Sequence, residues 1–454
     1  MKLVKQAAVQ RPKYYGLFWR WHFFAALIVI PFVLWQSTTG TIYLWSEWWM
    51  DRLHPELRFV PPTHAFATPS AQVAAALGSI PHAAAMLTVT PMAGMQMGAM
   101  PEVTSGKAIA HTGPPVLGIL LPDDPARSTT VLLQSASGLA YPVFVDPHTA
   151  RVLGTLTPAE WLPGWSRSLH GGWPLGAPGS WLLELGDCWA IVMIVSGFYL
   201  WWPRGRSFPE FLWPRFRSGV RILLRDLHAT VAVLFSAVFL FFLVSALPWT
   251  MFWGETLLSA VEQATGQVSP AGFSNGGASI SQVKAALPGL DDAVREARAR
   301  HVQGTLDIRL SPWPDAPWWM TNVRTLAPDH TLNATATSGR ITGDFTSAQI
   351  PAIPRFVAFG VHIHQGDFGP LSRWLNTAFA LSLIWLTVTG ATSWWIRRPA
   401  KRLGAPPKPA SPWPKGLRAG LAAMCIVLPI FGLSVLVIAL AERAMRPRLT
   451  VPAA

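Results

Sequence analysis

Four histidines, His22, His170, His228 and His364, stand at the ends of long apolar stretches of this sequence. An imidazole in or beside a membrane is costly unless it has a partner, so such residues are functional candidates by default. Taken singly, each lies close enough to a helix end for its ring to reach water, and an interfacial position would account for it. Taken as two facing pairs, they call for chemistry. A neutral imidazole nitrogen is a good axial ligand for haem iron, and facing helices of a bundle can offer one such ligand from each side of a porphyrin plane. Two imidazoles saturate the iron and favour electron transfer over oxygen binding or group transfer.

The pairing follows from an internal repeat. Aligning His170-Gly171-Gly172 with His364-Gln365-Gly366 brings Trp181-Leu182 close to Trp374-Leu375. It also sets Gly197 and Trp201-Trp202-Pro203-Arg204 against Gly390 and Trp394-Trp395-Ile396-Arg397. In the same way His22 opens one apolar stretch and His228 another. Because each half crosses the membrane and returns, the repeats are parallel, related by an axis along the membrane normal. Like positions then share a depth, which puts His22 beside His228 near one face and His170 beside His364 near the other. His362 is the alternative to His364, which is preferred because it matches His170 in the repeat.

The elements that must position these residues are membrane helices. The chain has 454 residues, 51% hydrophobic and only 13% charged, too apolar for an ordinary soluble protein. Spans are expected at 22–45, 180–203, 227–250, 372–396 and 417–441, each near the ~20 residues that cross a bilayer. Many of the tryptophans fall at their ends as interfacial belts. Eighteen of the 36 Lys and Arg residues fall in three segments, before the first span, at 204–226 and at 397–418. All three lie on one side of the membrane, so the N-terminus is expected in the cytoplasm. The net charge of +13 is therefore a topology signal, and no nucleic-acid partner is expected. The segments 46–179 and 251–371 fall outside, and each reads as a small α+β domain. Helix is expected at Ser70–Leu77 in the first, and at Ser281–Leu287 and Asp291–Arg300 in the second. The strand-like runs are Val131–Gln134, Tyr141–Val145, Thr305–Leu310 and Thr331–Thr337.

Several other residues could serve such a site. Gly40, Gly197 and Gly390 lie inside spans, where a small residue lets a flat macrocycle approach the backbone. Arg167 and Arg373 are candidate partners for haem propionates, and Arg20 and Arg225 stand equally well as topology anchors. Glu184 and Asp187 lie one turn apart in an apolar span, either as a proton path or second-layer partner, or as a bundle-facing polar pair. Met92, Met95, Met97 and Met100 could bind Cu(I) through soft thioethers, or simply form an apolar loop. Cys188 and Cys425 lie inside apolar spans, and the absence of a CxxCH motif means that any haem is held without a covalent bond. No phosphate-binding loop, dinucleotide fingerprint, HExxH helix or nucleophile elbow is present.

The chain resembles the PepSY-associated transmembrane family in Trp21-His22, Leu169-His170-Gly171, Leu227-His228 and His364-Gln365-Gly366-Asp367-Phe368-Gly369. The likeness runs from about residue 15 to residue 400. Members of that family include inner-membrane ferric-siderophore reductases. The resemblance implies an all-α membrane bundle, a four-helix core with two haem b groups, carrying two small α+β periplasmic PepSY-like domains. His22, His228, His170 and His364 match the family's helix-end histidines and would be the iron ligands. The implied activity is a haem-dependent oxidoreductase of the bacterial inner membrane, taking electrons from a cytoplasmic or membrane donor to a ferric-siderophore or other metal chelate. A fifth span, the methionine-rich insertion and the lack of a fused flavin domain depart from that pattern. A copper-related reductase, a non-enzymatic protein that binds a periplasmic peptidase, and a transporter are the rival readings.

Overall fold

The computed structural model describes residues 14–80, 88–89, 111–112, 115–172, 174–202, 212–269, 277–310, 317–323, 330–407 and 413–444. Met92, Met95, Met97 and Met100 lie outside them. The chain divides into two compact units, a helical one from Met1–Trp35, Glu184–Leu243 and Leu381–Ala454, and a sheet-bearing one from Gln36–Leu183 and Val244–Ala380.

Among the described residues, four helices are long and apolar enough to cross a membrane. They are α1 (Tyr15–Leu44), the span Pro178–Trp201 within α5 (Ala177–Trp201), the run Val220–Trp249 that begins as α6 (Val220–Ala246), and α9 (Gly369–Arg397). At 1.5 Å per residue, the thirty residues of α1 extend about 45 Å, more than the ~30 Å of hydrocarbon. Their outward-facing residues, among them Leu27, Leu182, Leu234, Leu375 and Val388, are large, apolar and exposed, as lipid contact requires.

The helical unit is packed around Val29, Val33 and Ala190, with Phe32, Trp189 and Met193 against them. Gly186 allows the closest approach, since a Cβ there would lie 2.5 Å from the Phe32 ring. Small residues at such crossings let helices approach where no hydrophobic effect drives them together. Asp226 is buried and held by Arg215 at 2.7 Å and Arg225 at 2.8 Å.

The expected fifth span, 417–441, is not one helix. It consists of α10 (Lys415–Val427) and α11 (Pro429–Ala444), about 20 and 24 Å long, each too short to cross. Pro429 has no N–H with which to continue the ladder, and the chain folds back sharply there. A Cβ on Gly432 would lie 2.8 Å from the Cys425 carbonyl oxygen, whereas residues seven apart in a straight helix are about 10 Å apart.

The sheet-bearing unit corrects the expectation of an all-α bundle with two separate small domains. Its strands are β1 (Val116–Leu121), β2 (Thr129–Gln134), β3 (Ala140–Val145), β4 (Val152–Thr155), β5 (Thr305–Leu310), β6 (Trp318–Val323), β7 (His330–Ala334) and β8 (Ile341–Thr346). They form one antiparallel eight-stranded sheet in the order β8-β7-β6-β5-β1-β2-β3-β4. The halves do repeat, each being a helix followed by four strands, but they fuse edge to edge where β1 pairs with β5, Ile119 opposite Ile308. Joining the halves leaves two open edges where separate sheets would have four.

The helices α3 (Pro69–Gly78) and α7 (Ile280–Ala299) cover this sheet. Val73, Ala76, Leu77, Val283, Leu290 and Val294 bury against Ile119, Val131, Leu306 and Ile308. Ser279 and Gln282 form a reciprocal capping box that starts α7. Pro288 does not divide α7 as the two expected segments implied. Asp291 of α7 accepts from the backbone N–H of Ser70 at 2.7 Å and from its hydroxyl at 2.6 Å, so one half caps the helix of the other.

Candidate functional site

Each unit contains one pair of histidines. In the sheet-bearing unit, His170 ends the short helix α4 (Leu162–His170), and His364 lies near the end of α8 (Ala352–Gln365). Gly366, with φ 72°, terminates α8 in the left-handed conformation that glycine adopts without strain, which explains one glycine of the H-x-G repeat. Amide side chains hold both histidine carbonyls at these helix ends. Gln36 Nε2 donates to the His170 carbonyl at 3.1 Å, and Asn376 Nδ2 to the His364 carbonyl at 3.1 Å.

The rings of His170 and His364 face each other with centroids 6.0 Å apart and planes 69° apart. Two metal–nitrogen bonds of about 2 Å, plus the near halves of two rings, occupy a gap of this size. Burial pushes the His170 imidazole down to about 3, with His364 beside it adding to the effect. Burial also pushes His364 down to about 4. Both rings are therefore neutral near pH 7, the form that binds metal.

In the helical unit, His22 of α1 and His228 of α6 are close enough to interact electrostatically. Ser196 and Met193 of α5 (Ala177–Trp201) seat the first ring, with the Ser196 hydroxyl and the Met193 carbonyl each 3.1 Å from Nδ1. The Thr389 hydroxyl of α9 lies 3.1 Å from His228 Nδ1. Back in the sheet-bearing unit, the Thr39 hydroxyl of α1 lies 3.1 Å from His170 Nδ1.

Beside each of these hydroxyls is a glycine. A Cβ added to Gly40, Gly197 or Gly390 would sit 3.1, 3.2 or 3.3 Å from Cε1 of His170, His22 or His228 respectively. The glycines expected to admit a macrocycle thus directly admit the histidine rings. The hydroxyls were missed in the sequence, although Thr39-Gly40, Ser196-Gly197 and Thr389-Gly390 are visible there as a recurring dipeptide.

The remaining candidates fall as follows. His362 is held by Asp367 at 3.0 Å, while His364 faces His170. Arg167 is exposed one turn before His170, and Arg373 packs its Cγ on Gly366. Arg20 donates to the Pro406 carbonyl and Arg225 to Asp226. Glu184 and Asp187 are buried in the helical unit and interact with each other and with Cys188. Among the described residues no group of three or more His, Cys, Asp or Glu side chains could hold a metal ion. Among the described residues, a metal on either histidine pair would therefore find two protein ligands, the imidazoles themselves.

Long apolar helices, an attached two-helix sheet domain and paired imidazoles define a multi-pass membrane protein with a duplicated extramembrane region. Residues 19–397 match the PepSY-associated TM region, so the chain belongs to that family. No curated protein matches the chain.

Proposed function

We propose that this protein is a di-haem b electron carrier of the bacterial inner membrane that reduces a ferric-siderophore or similar metal chelate in the periplasm. The observation that carries this reading is the facing imidazoles of His170 and His364, with His22 and His228 close enough to interact electrostatically, each pair taking one histidine from each half of the chain. The donor set fits a haem, since it supplies two neutral nitrogens to a metal and leaves its remaining positions to a flat ligand. A haem iron held by two imidazoles exchanges one electron at a time and offers no free coordination position to oxygen. His22 with His228, and His170 with His364, would be the axial ligands. Arg167 and Arg373 are assigned to the propionates of the second group. Gly40, Gly197 and Gly390 let the ligand helices seat their rings against neighbouring backbone.

The extramembrane sheet is assigned to the periplasm by the basic segments, which share the opposite side. The chelate is then reduced near His170 and His364, and the donor is engaged at the face of His22 and His228. Purified protein is expected to be red, to give a reduced-minus-oxidised haem b spectrum, and to release its haem into acid-acetone. In proteoliposomes a chelate on the periplasmic side should be reduced by electrons supplied on the other side. Protein that bound no haem, or that reduced only a chelate on the donor's side, would overturn the proposal.

A further inference from the structure

The hydroxyls beside the histidines make one argument three times. Ser196 donates its single proton to the Met193 carbonyl at 3.0 Å, and Thr389 donates to the Trp385 carbonyl at 2.8 Å. Thr39 points its own proton at the Gln36 carbonyl at 3.5 Å. A hydroxyl has one proton, so towards the imidazole each of these oxygens can only accept. The Met193 carbonyl, which can only accept as well, lies 3.1 Å from the same His22 nitrogen. The carbonyls of Leu386 and Gln36 are likewise within hydrogen-bond reach of His228 and His170. Nδ1 therefore carries the ring proton in all three histidines, and Nε2 presents a bare lone pair.

One unit of this design remains, the seat of His364. Thr39 stands seventeen residues after His22, and Ser245 stands seventeen residues after His228, so the repeat of the two halves sets Ser245 where Thr39 is. Ser245 is 3% exposed, near the end of α6. It lies against α8 at Gly360, where an added Cβ would meet the Ser245 Cβ at 2.8 Å. Gly360 is one turn before His364. Helical side chains lean towards the N-terminus of their helix and cover the preceding turn, so the His364 ring lies over the surface that Gly360 leaves open and Ser245 approaches.

We infer that Ser245 is the positioning residue of His364, its hydroxyl accepting the Nδ1 proton so that Nε2 faces His170. This rests on the haem reading above, because its consequence is read from the iron. An accepted Nδ1–H bond fixes the tautomer and makes the ligand more basic, which favours the oxidised metal. The design differs from the other three seats in one atom. Ala246 stands where Thr39 is followed by Gly40, so the fourth seat adds a methyl group.

The test is a redox titration of the purified holoprotein followed through its optical bands, with the band that disappears in His364→Ala marking the second haem. Ser245→Ala should raise the midpoint potential of that band, or lower its haem occupancy, and leave the other band in place. Ser245→Thr should restore wild-type behaviour, and Thr389→Val should move only the other band. An unchanged potential in Ser245→Ala, or an equal shift in Ser245→Thr, would refute the role of the hydroxyl. Wild-type protein without haem b would defeat the functional proposal itself, which keeps the two failures distinct.

Discussion

The two histidine pairs are built from different material. In the helical unit both histidines lie within long membrane helices, α1 and α6, whose backbones are fixed by their own ladders. In the sheet-bearing unit both histidines lie near the ends of short helices, α4 and α8, whose last carbonyls need the amides of Gln36 and Asn376. Yet the seats of His22, His170 and His228 are of one kind, a hydroxyl followed by a glycine. The seat thus recurs in both units while the arm that carries the histidine does not.

The largest effect should come from removing ligands. His228→Ala is expected to eliminate one haem component in low-temperature spectra and His364→Ala the other, with either variant unable to carry electrons to an outer chelate. Loss of the same component in both would break the division into two sites. Next in size, Gly40→Leu should displace His170 and sharply lower occupancy of the second site alone, and Gly197→Leu should do so for the first. An alanine at either position asks the ring to move by only a few tenths of an ångström and should retain most of the haem. Equal losses at both sites from Gly40→Leu would count against a local seat.

A smaller difference should appear on acidification. Burial raises the Asp51 carboxyl, but Arg127 and Arg58 beside it more than compensate and hold it below the ordinary range. A carboxylate depressed in this way stabilises the fold above its unfolded value near 3.8, and that contribution is lost as pH falls through the folded value. Asp51→Asn should therefore flatten the acid limb of thermal stability as pH falls below the ordinary carboxylate range, measured by circular dichroism of the sheet.

The smallest effect concerns His148. The carbonyls of Ala65 and Pro125, 2.7 and 2.9 Å from its two ring nitrogens, raise its basicity and favour the doubly protonated ring. This contact is fully present below the unfolded value of 6.5 and is lost as pH rises through the raised folded value. Hydrogen exchange at residues 59–68 should accelerate over that rise in the wild type and lose its pH step in His148→Gln.

Much of this architecture is legible in the sequence because repetition is a one-dimensional signal. His22 with His228, and His170 with His364, could be paired without knowing a distance, since equal positions in parallel repeats share a depth. Strand Thr305–Leu310 was also readable from the alternation of Leu306, Ile308 and Leu310 with Asp307 and Arg309. What could not be read depends on distant register. Nothing local to Val116–Leu121 says that it pairs with Thr305–Leu310, and Trp318–Val323 passes for another aromatic belt. Pro429 hides in an apolar run whose composition suits a span, and only the fold-back at Gly432 exposes the break. Thr39, Ser196 and Thr389 were overlooked because a hydroxyl in a membrane helix ordinarily satisfies itself on its own backbone.

The pairing of β1 with β5 also sets a schedule for synthesis. Leu121 and Thr305 are separated by two membrane crossings and 184 residues, which at about 5–20 residues per second is on the order of 10–40 s of translation. Throughout that interval β1 is a long apolar strand with no neighbour on one side. Such an edge is open to any strand that arrives first. The newborn protein therefore passes through a sticky half-sheet before its second half emerges, and slowing the ribosome between the two halves should lengthen that exposure and lower the yield of folded protein.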